Sequence, residues 1–335
     1  MKYKGILFLL STYLLSSCSQ EEKKEYHHFR GEVFHTSFSI KYEHSESLDK
    51  EMRARLDSFD LSLNPFNKES IIYKVNNNTD VDLDIWFTTV FERSMEVSEH
   101  TSGAFDITCA PLINLWGFGF SKMGDVSPRK IDSLMQFVGY NKIRLQAGRL
   151  IKEDDRIQLN TSAIAKGYSC DLIAELLQGR GVENYMVEIG GEINARGLNP
   201  RGECWKIEIT KPNYEPTGLL SERQGVVSLC NKSMATSGNY RNFYVKDGKR
   251  YAHTIDPRTA YPAEKDILGA SIFADNCMTA DAYATAFMTL GLDSACRIAD
   301  KIDGMMYYFV YSDSEGNPQV KFSDNMQEFI QNSEY

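Results

Sequence analysis

The chain has 335 residues, 42% of them hydrophobic, and a formal net charge of −9. That is enough apolar chain for one large domain or two packed lobes. The acidic balance excludes the basic footprint of a nucleic-acid binder, so no nucleic acid is expected as a partner. Seven cysteines at irregular spacings form no C-x-x-C pair, which argues against a zinc site or a disulfide scaffold. Export would still allow one pair to oxidise, and the spacing does not say which.

Residues Met1 to Cys18 read as an export signal, with Lys2 and Lys4, an apolar run from Ile6 to Leu15, and then Leu15-Ser16-Ser17-Cys18. The run is too short to span a bilayer. Its end has the form of a bacterial lipobox, in which Cys18 is lipidated. The expected localisation is therefore exported and lipid-anchored to a bacterial membrane, facing the periplasm or the extracellular side. Residues 19–28 form a polar tether, and residues 29–330 a single folded domain.

Phe29 to Tyr42 alternates apolar and polar residues and predicts one strand or two short ones. Leu48–Leu61 and Asp84–His100 have helical spacing, with a turn-rich segment at Ser62–Ser70 between them. The stretch from Ser102 to Phe120 is aromatic and glycine-rich, too irregular for one helix. Ile131–Val138 is a short helix. Lys142–Leu145 and Arg156–Leu159 read as a strand pair. A helix opens at Asn160, with Ser162 as N-cap, and runs to about Gln178. Tyr185–Ile189, Trp205–Thr210, Gly225–Leu229, Tyr244–Lys246 and Met305–Tyr311 are strand-like, and Ala295–Ile302 is helical. Ile189-Gly190-Gly191-Glu192 is a glycine turn, and Met234–Tyr240 a small-residue segment. Thr279–Leu290 predicts a short buried helix that stops at Gly291. Helices and strands mix without a βαβ alternation, so the fold class is α+β.

Four places could carry chemistry. Asp281 and Thr285 lie one turn apart on one helix face. The carboxylate either caps a helix or bonds backbone amides, or it binds a hard cation such as Mg²⁺ or Ca²⁺. Lys166, in the first turn of its helix, is either solvated or part of an anion site with the free amides there, and Gly167 permits a close approach. Phe105, Trp116 and Phe118 either stack a flat ring or pack the core, and Asp106 could bond a ring edge. His253 before Asp256-Pro257-Arg258 is a structural donor or a general base.

The ordered set Gly103-Ala104-Phe105-Asp106-Ile107-Thr108, Ile164-Ala165-Lys166-Gly167-Tyr168, Gly190-Gly191, Ala235–Tyr240, His253-Thr254-Ile255-Asp256-Pro257-Arg258-Thr259 and Ala280-Asp281-Ala282 with Thr285 resembles the ApbE family of FAD:protein FMN transferases. The resemblance implies a domain of mixed or antiparallel sheets and helices whose two lobes enclose a central FAD and metal cleft. It implies Mg²⁺-dependent transfer of FMN from FAD to a threonine of a target protein, with AMP leaving. The metal ligands would be Asp281, Thr285 and the carbonyl of Ala163. FAD contacts would fall on Phe34, Phe66, Ala104, Phe105, Asp106, Asn160, Lys166, His253 and Ile255. His253 is the leading candidate base and Asp281 the second. The implied acceptors are threonine-bearing flavoprotein subunits of membrane redox complexes. Two other activities fit the same residues: an FAD pyrophosphatase releasing FMN and AMP, and a non-catalytic flavin-binding lipoprotein.

Overall fold

The computed structural model describes residues 24–119, 123–210, 223–239, 243–246 and 249–331; the segment read as an export signal, with Cys18, lies outside them. Eight strands build the main sheet: β1 (Glu25–Val33), β2 (Thr36–His44), β3 (Tyr185–Ile189), β4 (Glu192–Arg196), β5 (Asn231–Gly238), β6 (Ile267–Ala274), β7 (Met306–Ser312) and β8 (Pro318–Phe322). They lie side by side in chain order, and every neighbouring pair is antiparallel. The α+β class is as the sequence predicts. Glu25 to His28, read as the end of a tether, are paired in β1.

Both faces of the sheet are covered. Along β7, Tyr307 and Phe309 join one core with the helices, while Tyr308 and Val310 join a second core. That second core also holds Trp205, Ile207, Val227 and Leu229. These come from a small sheet of Trp205–Thr210, Arg223–Leu229 and Ile330–Gln331. A strand buried on both faces has no polar side, which is why Met305–Tyr311 reads as one continuous apolar run. The small sheet is closed at one end by a disulfide between Cys204 and Cys230, 26 residues apart. The spacing argument against a disulfide scaffold holds to the extent that this is one bridge. Its pairing follows from the strands, because Cys204 and Cys230 flank the Trp205–Leu229 register. Reducing it is expected to destabilise the fold by about 2–4 kcal/mol by freeing the unfolded chain. Melting with and without reductant checks this, and identical midpoints would show that the bridge contributes nothing.

The other face carries the helices: α1 (Asp49–Leu63), α2 (Ile85–His100), α3 (Ala165–Gly179) and α4 (Cys277–Leu290). Asp84 caps α2, accepting from the Phe87 amide at 2.7 Å. Asn276 caps α4 through the Thr279 amide, and Gly291 ends it at φ 81°. Helix α4 lies against β5, β6 and α3, and its alanines keep those contacts close. Among the described residues, no helix is long and apolar enough to cross a membrane.

Several elements differ from the sequence reading. Strand Ile143–Gln146 pairs with Arg149–Lys152 rather than with Arg156–Leu159. Ala147 and Gly148 both adopt positive φ, so a two-residue turn joins the pair directly. Residues 162–164 are a turn, and α3 begins at Ala165 with Ile164 at the cap and no side-chain cap bond. Ser162 is therefore not the N-cap: its amide donates to Asn160 Oδ1 at 2.8 Å instead. Residues Met234–Gly238, read as a small-residue segment, are the core of β5. Strand β6 and the helix Ile71–Asn76, capped by Ser70, were not anticipated. In β6, Ile272 and Phe273 serve opposite faces. An apolar run of that kind has no period to distinguish strand from helix.

Candidate active site

Helices α3 and α4 make the floor of the site. A Cβ at Gly167 would sit 2.3 Å from the Cys277 carbonyl oxygen and 2.8 Å from Asp281 Cβ. Only glycine lets the two helices approach this closely. Each helix then satisfies the other's exposed amides. Asp281 Oδ2, on α4, accepts from the Gly167 amide of α3 at 2.9 Å. Asp171, on α3, accepts from the Cys277 and Met278 amides of α4 at 2.8 Å each. The first-turn amides of both helices lack intrahelical partners, and a carboxylate there is stabilised by the helix dipole. Burial nevertheless pushes the Asp171 carboxyl up to about 6, against those amide bonds.

Most of the amides at the start of α3 already have acceptors within the protein. The Ile164 and Ala165 amides donate to the Thr161 carbonyl, and the Gly167 amide donates to Asp281. The cationic group at this end is the Lys166 side chain. Lys166 Nζ pairs with Glu192 Oε1 at the start of β4. Glu192 and Asp281 are 4% and 5% exposed. Burial works against the Lys166 ammonium, but Asp281 and Glu192 override it and raise its pKa. Burial pushes the Glu192 carboxyl up to about 7, with Lys166 opposing and Asp281 reinforcing. Asp281 is likewise raised by burial, opposed by Lys166 and the Gly167 amide. Glu192 was missed in the sequence. The available signal was a carboxylate directly after Gly190-Gly191, with Ile189 before the glycines and Ile193 after it.

A cavity of about 860 Å³ opens over this floor, at the large end of the small-molecule range. Every inner site residue singled out from the sequence lines it, from six separate stretches of chain. Phe34 comes from the β1–β2 turn and Phe66 from the loop after α1. Ala104, Phe105 and Asp106 come from the glycine-rich stretch. Asn160, Ala163 and Lys166 approach α3, His253 and Ile255 lie on a returning loop, and Asp281 and Thr285 are on α4. Trp116 is not among the lining residues; it is buried, and its indole donates to the Ala260 carbonyl at 2.8 Å, so it packs the core while Phe118 reaches the cavity.

The aromatic rim is set by backbone conformations that are uncommon for large residues. Phe34 and His35 have φ of 51° and 59°, the two central positions of a tight hairpin turn. Glycine or asparagine would be the easier choice there. The Phe34 ring meets Phe59 edge-on at 5.6 Å, and His35 meets Phe66 at 5.2 Å. Asp106 is committed to the protein. Its Oδ1 accepts from the Thr108 amide and hydroxyl, and its Oδ2 from the Tyr140 amide, all within 2.7 Å. Burial raises its pKa, and those bonds oppose the shift.

The loop of His253 is anchored to the far end of α4. Arg258 binds both oxygens of Asp256 at 2.8 Å and donates to the Thr289 carbonyl at 2.9 Å. The Ala263 amide closes on the Thr254 carbonyl at 2.8 Å. His253 faces Phe118 edge-on at 6.3 Å. The Asp-Pro-Arg run is thus the turn its composition predicts, held by a bidentate ion pair.

The donors expected for a hard cation fit one. Asp281 Oδ1, the Thr285 hydroxyl and the Ala163 carbonyl have no hydrogen bond among the described residues. All three are oxygens, the donor type Mg²⁺ prefers.

An α+β domain with one large cleft, aromatic rings at its lip and a lysine among carboxylates at its floor belongs to the class that binds a flat-ringed, anionic small molecule. The chain belongs to the ApbE family, which matches residues 34–309. It is 34% identical over 327 residues to the FAD:protein FMN transferase of Haemophilus influenzae, covering 92% of this chain and 93% of that one. The Vibrio cholerae enzyme of the same name is 33% identical, covering 88% of this chain and 90% of that one. The solved structure of the flavin transferase ApbE from Vibrio cholerae superposes with a TM-score of 0.82 at 30% identity, over 92% of this chain and all of that one.

Proposed function

We infer that this protein is a flavinyltransferase that moves the FMN half of FAD onto a threonine hydroxyl of a target flavoprotein and releases AMP. The observation that carries this reading is the meeting of Lys166, Asp281 and His253 in one cavity of a chain of this family. The aromatic lip of Phe34 and Phe66, with Phe105 deeper in, receives the flat rings. Lys166 holds the pyrophosphate by charge. Asp281, Thr285 and the Ala163 carbonyl would hold Mg²⁺. When bound, that ion supplies charge neutralisation at the pyrophosphate oxygens.

His253 takes the proton of the acceptor hydroxyl as its oxygen forms a bond to the FMN phosphorus. The bridging P–O bond breaks in the same displacement, and AMP leaves with the electron pair. Asp281 is the poorer base, because as a metal ligand it is committed in its ionised form. The apolar run Ile6–Leu15, followed by Ser16-Ser17-Cys18, supports export and a lipid anchor. That would place acceptor subunits of membrane redox complexes within reach.

The test is incubation with FAD, Mg²⁺ and a threonine-bearing flavoprotein subunit, followed by a denaturing gel. Flavin fluorescence on the subunit supports transfer, free FMN without labelling points to hydrolysis, and unchanged FAD points to binding alone. His253→Ala is expected to slow labelling by about 100-fold or more with FAD affinity nearly unchanged. Labelling at the wild-type rate would remove His253 from the reaction.

A further inference from the structure

The charges around the cavity pose a problem for the ligand it receives. Lys166 is the one lysine or arginine lining it among the described residues, while Asp106, Glu192 and Asp281 line it as carboxylates. Asp106 is held by its own amide and hydroxyl donors. Lys166, Glu192 and Asp281 act on one another electrostatically. The ammonium that should meet a pyrophosphate is already paired with Glu192. The second oxygen of that carboxylate, Glu192 Oε2, is buried with no hydrogen-bond partner. An unpaired buried carboxylate oxygen is costly and serves no evident packing purpose.

We propose that Glu192 makes FAD binding conditional on a divalent cation, by pairing with Lys166 and keeping an excess of buried negative charge beside the place where the pyrophosphate must sit. This rests on the reading of the cavity as an FAD and Mg²⁺ site. A pyrophosphate brought into that floor alone adds negative charge to negative charge in a desolvated place, where repulsion is strong. With the cation present, Lys166 and the cation together offset the carboxylates and the phosphates. The two ligands are then coupled, each tightening the other by the same factor. If Glu192 merely aimed Lys166, neutralising it would weaken FAD binding in every condition. On this proposal it strengthens binding where the cation is absent.

The experiment measures FAD affinity by flavin fluorescence at pH 8, in excess Mg²⁺ and in EDTA, with no acceptor present. For the wild type, Mg²⁺ is expected to tighten FAD by roughly 100-fold. For Glu192→Gln, which keeps an acceptor for Lys166, the factor is expected to fall to roughly 10-fold or less. The change should come from tighter binding in EDTA. Glu192→Asp keeps the charge and is expected to restore the coupling towards wild type. Asp171→Asn removes a buried carboxylate of the same helix pair that does not line the cavity, and is expected to keep the wild-type factor. Thermal melting establishes that each variant is folded. Wild-type coupling in Glu192→Gln, or an equal loss in Asp171→Asn, overturns the proposal alone. A wild-type protein that binds no FAD even with Mg²⁺ overturns the FAD reading beneath it as well.

Discussion

Asp281→Asn is expected to cut Mg²⁺-dependent labelling by at least about 100-fold while the melting temperature falls by only a few degrees. The two effects have separate causes. The carboxylate contributes one oxygen to the Gly167 amide and leaves the other free toward the cavity. An amide side chain of the same size can still accept from Gly167, so the α3 end is kept at a cost of about 1 kcal/mol. It cannot supply the charge that binds a cation, nor help hold the Lys166 ammonium in its ionised form. Asp281→Ala is the harsher change, because it removes the cap as well. Labelling by Asp281→Asn at the wild-type rate would show that the carboxylate is only a cap.

Gly167→Ala is expected to destabilise the protein by about 1–3 kcal/mol and to abolish FAD binding together with labelling. The added methyl would lie 2.3 Å from a backbone oxygen, whereas real Cβ contacts essentially never fall under 3.0 Å. That neighbour cannot swing aside like a side chain, so α3 and α4 must separate. Separation breaks the bond between Asp281 and the Gly167 amide and moves Lys166 away from the α4 carboxylate. Gly179, in the same helix, is the matched control. Nothing lies within 4 Å of its added Cβ, so Gly179→Ala is expected to stabilise by roughly 0.5–1 kcal/mol. Melting curves and flavin binding on the pair decide it; equal behaviour of the two variants would sink the packing argument.

Legibility in the sequence followed the physics of each element. Helix α4 was readable because its apolar run ends at a glycine, and Asp281 and Thr285 at i and i+4 stand out inside it. The two uses of Asp281, cap and cation ligand, read as alternatives in the sequence. In the structure one oxygen accepts from the Gly167 amide and the other has no hydrogen bond among the described residues, so the two uses do not exclude each other. Lys166 was found by its place near a helix start, but its partner Glu192 lies 26 residues on and across a hairpin. No local pattern announces such a pair. Strand β5 was hidden by its own function: Thr236, Ser237 and Gly238 are small because they wall the cavity, and small polar residues do not look like a strand. The Cys204–Cys230 pairing was invisible as spacing and obvious once Trp205–Thr210 and Arg223–Leu229 are laid side by side.

The cavity draws its walls from Phe34 at one end of the domain to Thr285 near the other. No contiguous piece of the chain holds both the aromatic lip and the α4 carboxylate without nearly everything between them. A ribosome-bound chain that stops short of α4 therefore has a lysine but nothing to complete the pocket, and it cannot capture flavin early. Occupancy by FAD marks a finished molecule, and resistance to protease in the presence of the nucleotide would report completion of folding.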